Sequence, residues 1–289
     1  AGFGFLLDLH YSDFWADPGK QRVPKAWRGM SEKELEQAVY DFTRETLLTL
    51  REQGVFPTMV QVGNELTNGL LWPFGKVPNY DSIARFLNAG IRAVHSVSCE
   101  LPVMLHLDNG GNNQLYRTWF DEFLKRGEEF EVIGLSYYPF WHGSLADLEA
   151  NMHDLAERYG KKLIVAEVSM GHTMEDYQEY EGLADANRKG MATKPELAAK
   201  VEYPMSEKGQ SDFMQDFMTR IACVKGAVGF YYWEPAWLPI KGSGWASEEA
   251  LKYIEEKGPG GNEWANQALF DYNGNALMAL ESIRDFNTK

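Results

Sequence analysis

The sequence predicts an α/β protein built as a TIM (β/α)8 barrel with six of its eight strand–helix units visible, on three observations. Short apolar runs alternate with amphipathic helical segments along the 289 residues. Those runs are continuously apolar, as expected of parallel strands buried on both faces. The helix-to-strand joints are short and the strand-to-helix joints long, and elaboration of that one face is how such a barrel builds a site. A doubly wound sheet would also gather loops at strand ends, but usually shows a glycine-rich phosphate turn, and none is present.

The strands are read at Phe3–Leu9, Thr58–Val62, Pro102–Leu107, Glu131–Tyr138, Lys162–Ala166 and Ala227–Trp233. The first helix opens on the capping box Ser31-Glu-Lys-Glu34 and stops at Gly54. Asp81 is expected to cap the second, whose Ile83, Phe86, Leu87, Ile91 and Val94 form one stripe. A third runs from about Asn113 to Gly127, and a fourth opens at Ser144-Leu-Ala-Asp147 and ends at Gly160. The fifth covers about Ser211 to Lys225 and the sixth Asn275 to Phe286. Between them the short joints are Gly54–Pro57, Gly127–Phe130 and Gly160–Lys161. The long ones are Tyr11–Met30, Glu65–Tyr80, Val168–Gly209 and Glu234–Gly274. The chain begins inside an apolar strand, so residues 1–289 are read as one catalytic barrel domain, N-terminally truncated by about two units. No signal peptide is visible in this segment.

A net charge of −14 argues against a nucleic-acid partner, which would need clustered Lys and Arg. No apolar run approaches the roughly 18 residues of a membrane helix, so no membrane partner is expected. Cys99 and Cys223 make neither a disulfide framework nor a thiolate metal site, and both are expected to be buried thiols. Nine Trp, 14 Tyr and 16 Phe in an acidic chain suit a neutral, ring-shaped ligand such as a sugar, although a thick core would also use them.

Two glutamates end buried strands. Val60-Gln-Val-Gly-Asn-Glu65 closes on Glu65, and Leu163-Ile-Val-Ala-Glu167 on Glu167. Carboxylates there lie at the mouth of a barrel, and a pair of them is what glycoside hydrolysis requires. Six motifs then carry a specific likeness. Leu7-Asp-Leu-His-Tyr-Ser-Asp-Phe-Trp-Ala-Asp-Pro18, Val62-Gly-Asn-Glu65 and His106-Leu-Asp-Asn-Gly110 are the first three. Ser136-Tyr-Tyr-Pro-Phe-Trp141, Val165-Ala-Glu-Val-Ser169 and Trp233-Glu-Pro-Ala-Trp237 follow. In that order and over essentially the whole chain, they resemble glycoside hydrolase family 53, the arabinogalactan endo-β-1,4-galactanases, retaining enzymes of clan A. The resemblance implies that Asn64-Glu65 holds the acid/base, that Glu167 is the nucleophile, and that the visible strands are numbers three to eight of the barrel. It also implies a floor for the reacting sugar at Trp233.

Around this pair, Asn64 is read as a hydrogen-bond partner of the sugar 2-hydroxyl. Glu234 is a third carboxylate at a strand end, ranked behind the other two. Asp8, Asp13 and Asp108 are read as sugar-hydroxyl or loop hydrogen-bonding groups. His10 and His106 end strands and could converge on a metal, but neither belongs to an H-x-H or H-E-x-x-H arrangement, so hydrogen bonding to sugar or carboxylate is the preferred reading. Trp15, Trp141 and Trp237 fall in loops on the functional face and are read as stacking surfaces for pyranose rings. Ser136 and Tyr138 share one strand face, which puts Tyr138 near Glu167, with Tyr137 the alternative if the parity is reversed. Gln267 and Asp271 are read as holding the last loop. Asp176, Glu179, Glu181 and Asp185 show no D-x-D spacing, so calcium is not predicted and no cofactor is expected. The arginine that the family would supply from its second strand has no position here.

The expected function is endo-acting hydrolysis of β-1,4-galactosidic bonds in pectin side chains, by a secreted or periplasmic monomer. The alternatives are another clan A endoglycanase, such as a mannanase or cellulase, a non-catalytic galactan-binding remnant, and a metal-dependent barrel hydrolase.

Overall fold

A computed structural model describes residues 2–175, 194–240, 245–255 and 264–286. Six strands, β1 (Leu6–Leu9), β2 (Met59–Val62), β5 (Val103–Leu107), β6 (Val132–Tyr137), β7 (Lys162–Val168) and β8 (Ala227–Tyr232), form one sheet in that order. The pairs β1/β2, β2/β5 and β5/β6 are parallel, with Leu7 opposite Val60, Val60 opposite Val103 and Leu105 opposite Ile133. Strand order therefore follows chain order without reversal. That is the winding of a (β/α) barrel, and it rules out the doubly wound sheet, whose order reverses at a switch point.

The helices between them are α1 (Glu32–Glu52), α2 (Tyr80–Val97), α3 (Asn113–Leu124), α4 (Leu145–Tyr159), α6 (Glu207–Ala222) and α8 (Met278–Asp285). The long strand-to-helix segments carry pieces that periodicity did not reveal. These are a small hairpin, β3 (Gly69–Leu70) with β4 (Gly75–Lys76), and two short helices, α5 (Pro195–Ala198) and α7 (Glu248–Ile254).

The chain divides into two compact units. The first comprises Ala1–Asp108, Asn113–Ser136 and Asp154–Ile164. Its α1 starts as read: Ser31 accepts the Glu34 N–H while the Glu34 carboxylate accepts the Ser31 N–H. Helix α2 starts earlier than read. Asn79, not Asp81, is the cap, its side chain accepting the Ser82 N–H, so Asp81 falls within the first turn. Asn79 is chosen because its amide also donates to the Phe74 carbonyl at 2.9 Å, tying the cap to the hairpin segment. Leu35, Val39, Thr43 and Leu47 of α1 are buried along one stripe. Trp119, Phe120 and Phe123 of α3 pack with Phe130 at centroid distances of 5.0–5.9 Å. Each such ring, fully buried, contributes about 1.5–3 kcal/mol. Strands β2, β5 and β6 are buried almost throughout, so their C-terminal ends are held on a rigid base.

The second unit comprises Asn109–Asn112, Tyr137–His153 and Val165–Lys289. Helix α6 begins four residues before the expected Ser211, because Ser206 caps it by accepting the Gly209 N–H at 3.0 Å. Its Phe213 and Phe217 stack at 5.9 Å, and Phe217 meets Phe230 of β8 edge-on at 5.2 Å. Both cysteines are exposed, contrary to the buried thiols expected. The reason is local: each lies at a helix C-terminus, Cys223 as the cap of α6 and Cys99 just beyond the cap of α2, where the chain turns at the surface.

Candidate active site

In the first unit the chain leaves β2 through two left-handed residues, Gly63 at φ +81° and Glu65 at φ +45°. A Cβ at Gly63 would also stand 2.6 Å from Leu66, so only glycine fits there. For Glu65 the conformation costs about 1–2 kcal/mol, and such strain persists where surroundings over-determine it. Gln21 supplies part of that constraint, donating to the carbonyls of Asn64 at 2.7 Å and Glu65 at 3.3 Å. Glu65 is 8% exposed, and the Ser136 hydroxyl lies 2.6 Å from its carboxylate Oε1.

Asn64 is equally fixed. Its Nδ2 donates to the Ala16 carbonyl at 2.8 Å, and its Oδ1 takes contacts from Gln61 Nε2 and His106 Nδ1, both at 2.8 Å. His106 is fully buried, with Nε2 at 2.8 Å from Ser136 Oγ. His10 accepts the Ala16 N–H on Nδ1 at 2.7 Å, so its proton is on Nε2, which donates to Asp8 at 2.9 Å. Both histidines therefore use both ring nitrogens in hydrogen bonds, as the preferred reading of them expects. Asp108 is buried and accepts the Thr67 hydroxyl, anchoring the turn that follows Glu65. Asp13 is exposed and accepts the Lys25 N–H at 2.7 Å, and Trp15 packs on Phe14 with Lys20 4.4 Å above its ring. Tyr116 is buried on this side and donates to the Leu107 carbonyl. Burial, and then the negative charge of Asp108 and Glu65, push its phenol well above its ordinary range.

In the second unit Glu167 sits near the end of β7, 8% exposed, and the Tyr138 hydroxyl donates to its Oε2 at 2.6 Å. The parity argument therefore selects Tyr138. Tyr137 points away and donates to the Gly143 carbonyl. Tyr138, Phe140 and Trp264 form a buried aromatic cluster against which Trp233, Trp237 and Trp245 pack. Trp141 stands edge-on to Tyr138 at 5.7 Å and keeps 42% of its surface exposed, and Trp237 lies 4.3 Å from Trp245. Glu234 also adopts a left-handed conformation, φ +52°, and burial pushes its carboxyl up. Gln267 accepts the Ser169 hydroxyl at 3.2 Å, and Asp271 accepts the N–H groups of Asn273 and Asn275, so both hold loops as read. Asp176, Glu179, Glu181 and Asp185 lie outside the described residues.

Sequence reasoning did not single out Ser136, Gln61, Trp245 or Trp264 as site residues. The signal was strongest for Ser136, a polar residue in a strand whose every position is buried.

The model of glycosyl hydrolase family 53 matches residues 1–283. An endo-beta-1,4-galactanase of Bacillus subtilis is 38% identical over 97% of this chain, which spans 66% of that protein's length. A probable arabinogalactan endo-beta-1,4-galactanase A of Aspergillus terreus is 35% identical over 87% of the chain and 70% of its own. Among solved structures, the Ignisphaera aggregans GH53 catalytic domain superposes with a TM-score of 0.86 at 38% identity, covering 98% of this chain and 74% of that one. An endo-1,4-beta-xylanase from Caldicellulosiruptor owensensis, at 13% identity and a TM-score of 0.59 over 96% of this chain and 77% of its own, shares the fold alone.

Proposed function

The chain belongs to glycosyl hydrolase family 53, and we propose that it is an endo-acting, retaining glycosidase of β-1,4-galactosidic bonds in galactan and arabinogalactan. The observation that carries the mechanism is that Glu65 and Glu167 are both buried, follow or end core strands, and each receives a 2.6 Å hydroxyl contact. We assign Glu65 as acid/base and Glu167 as nucleophile.

Glu65 first protonates the glycosidic oxygen while Glu167 attacks the anomeric carbon, so the C–O bond to the leaving chain breaks as the C–O bond to Glu167 forms. The Tyr138 hydroxyl holds Glu167 oriented and ionised, because a hydrogen bond to the charged form favours that form. Glu65, now ionised, takes a proton from water, whose oxygen displaces Glu167 and restores both carboxyls. Such a double displacement requires carboxyl groups about 5–5.5 Å apart. Asn64, its carbonyl end committed to Gln61 and His106 and one amide N–H to the Ala16 carbonyl, has its second amide N–H for the sugar 2-hydroxyl. Trp233, Trp141 and Trp237 supply apolar faces for pyranose rings, which lets the enzyme grip a chain in mid-length. His10, Asp13, Trp15, His106 and Asp108 belong to the first unit, which carries Glu65. No step needs a cofactor. A polymer substrate too large to enter a cell fits a monomeric enzyme acting outside the cytoplasm.

Digestion of potato galactan by the intact protein, beside Glu65→Gln and Glu167→Gln, tests the assignment. Wild type should release short oligosaccharides and each variant should lose at least about 100-fold. Near-full activity in either variant would overturn its role. Sugar binding without hydrolysis by the wild type would point to a binding remnant.

A further inference from the structure

In the first unit a cavity of about 280 Å³ lies between the segment that follows β1 and the β3–β4 hairpin. Its lining is of two kinds. Trp27, Trp72 and Phe74 supply rings, and Arg22 and Arg28 supply cations, with Leu35 of α1 completing the wall. Leu35 is buried whereas Arg22, Arg28 and Phe74 are exposed, so the cavity opens to solvent beside both arginines. The rings are held in place by the protein itself. Trp72 donates from Nε1 to the Asn68 carbonyl at 2.9 Å, and Lys76 Nζ lies 4.6 Å from its ring centroid. Trp27 meets Phe42 edge-on at 6.1 Å. The first acids of α1 are turned to other partners: Glu32 accepts the Ser82 hydroxyl and pairs with Arg85, and Glu34 accepts from Ser31. Arg28 makes no side-chain hydrogen bond or ion pair among the described residues. In a chain of net charge −14, two arginines among three aromatic rings are a local reversal of sign.

We propose that this cavity is a second carbohydrate site that takes a uronate ring, its carboxylate on the arginines and its C–H face on an aromatic side chain. Guanidinium forks match a planar carboxylate, and aromatic faces suit a pyranose. The volume is close to the roughly 300 Å³ at which ligand pockets begin, which suits a sugar unit rather than a long chain. A neutral galactan offers the arginines no charge to meet, whereas the backbone that carries galactan side chains in pectin is rich in uronates. The choice of ligand therefore rests on the galactanase reading; the site itself does not. Its place in the unit fits this use. The Trp72 N–H donates to the Gln21 carbonyl at 2.7 Å, and the Gln21 side chain donates to the carbonyls of Asn64 and Glu65. One residue thus joins the cavity wall to the segment that carries Glu65. Backbone held in this cavity keeps its side chains close to the acid, which raises their effective concentration.

The test is calorimetric titration of the intact protein with digalacturonate, its methyl ester and inorganic phosphate, each repeated in excess galactobiose. Digalacturonate should bind saturably, its uncharged ester at least about tenfold more weakly, and galactobiose should not displace it. Arg28→Ala should weaken digalacturonate about 10- to 100-fold, the loss of one hydrogen bond to a charged group. Arg28→Lys, which keeps the charge but not the fork, should recover part of that loss. Arg28 is exposed, so neither substitution threatens the fold. With polymers, the preference for galactan attached to its uronate backbone over galactan freed from it, read as a ratio of kcat/KM, should fall about tenfold in Arg28→Ala. No saturable digalacturonate binding, equal binding of the ester, displacement by galactobiose or unchanged binding in Arg28→Ala would each overturn the proposal. Phosphate binding as tight as digalacturonate would overturn it as well, by reducing the cavity to a general anion site. Galactan cleavage without digalacturonate binding would defeat the second site alone. Digalacturonate binding without galactan cleavage would defeat the galactanase reading and leave the site standing.

Discussion

The surroundings of Glu65 and Glu167 differ in kind. Glu65 ends a polar chain of Ser136, His106, Asn64 and Gln61. Glu167 instead has a tyrosine hydroxyl on one oxygen, and that tyrosine belongs to a wall of aromatic rings. The contrast follows the chemistry assigned to each. A group that must give and retake a proton gains from hydrogen bonds whose polarity can reverse. A group that must stay ionised and attack gains from a hydroxyl donor held by a firm support.

The sharpest way to break this comparison is to truncate each carboxylate and offer azide. Glu65→Ala should lose about 10²–10⁴-fold on galactan. With the dinitrophenyl galactobioside, azide should accelerate its turnover and yield a β-glycosyl azide, because the nucleophile is intact. Glu167→Ala should yield the α-azide instead, as azide takes the place of the missing carboxylate. Identical products from the two variants would erase the distinction.

Tyr138→Phe should act next most strongly. Losing one hydrogen bond to a charged group costs about 1.5–3 kcal/mol, or roughly 10- to 100-fold in kcat, with KM little changed. A loss seen only in KM would mean that Tyr138 serves substrate binding rather than Glu167.

The smallest effect lies away from either site. Asp154 receives hydrogen bonds from Arg117, which first of all hold its carboxyl down at about 2, with Asn113 adding to this. A depressed carboxylate contributes stability that is present above its ordinary pKa of about 4 and is lost as pH falls through about 2. Arg117 is 42% and Asp154 23% exposed, so screening limits the gain to about 0.5–1 kcal/mol. Asp154→Asn should therefore lower Tm by about 1–4 °C at pH 6 and by much less near pH 2. A deficit that persists at pH 2 would assign the effect to packing.

Much of this was legible in the sequence because it rests on local rules. Continuous apolar runs gave the strands, the Ser31 and Ser144 boxes gave two helix starts, and period-two parity chose Tyr138 over Tyr137. The two glutamates stood out because charge at the end of a β-branched strand is unusual. What stayed hidden depends on partners distant along the chain. Ser136 acquires its meaning from Glu65, 71 positions away, and Gln61 from Asp8, 53 away. The cap of α2 was misplaced because Asn79 is selected by a hairpin that period and propensity do not reveal. The cysteines were misjudged from average burial, which says little about a residue at a helix end.

The division of labour between the carboxylates is tested most directly by trapping the covalent intermediate. The protein would be incubated with a 2-deoxy-2-fluoro-β-galactobiosyl fluoride and digested, and the labelled peptide sequenced by mass spectrometry. The account predicts one fluorogalactobiosyl group on the peptide that carries Glu167, with the label on that carboxylate. A label on Glu234 or Glu65 would contradict it.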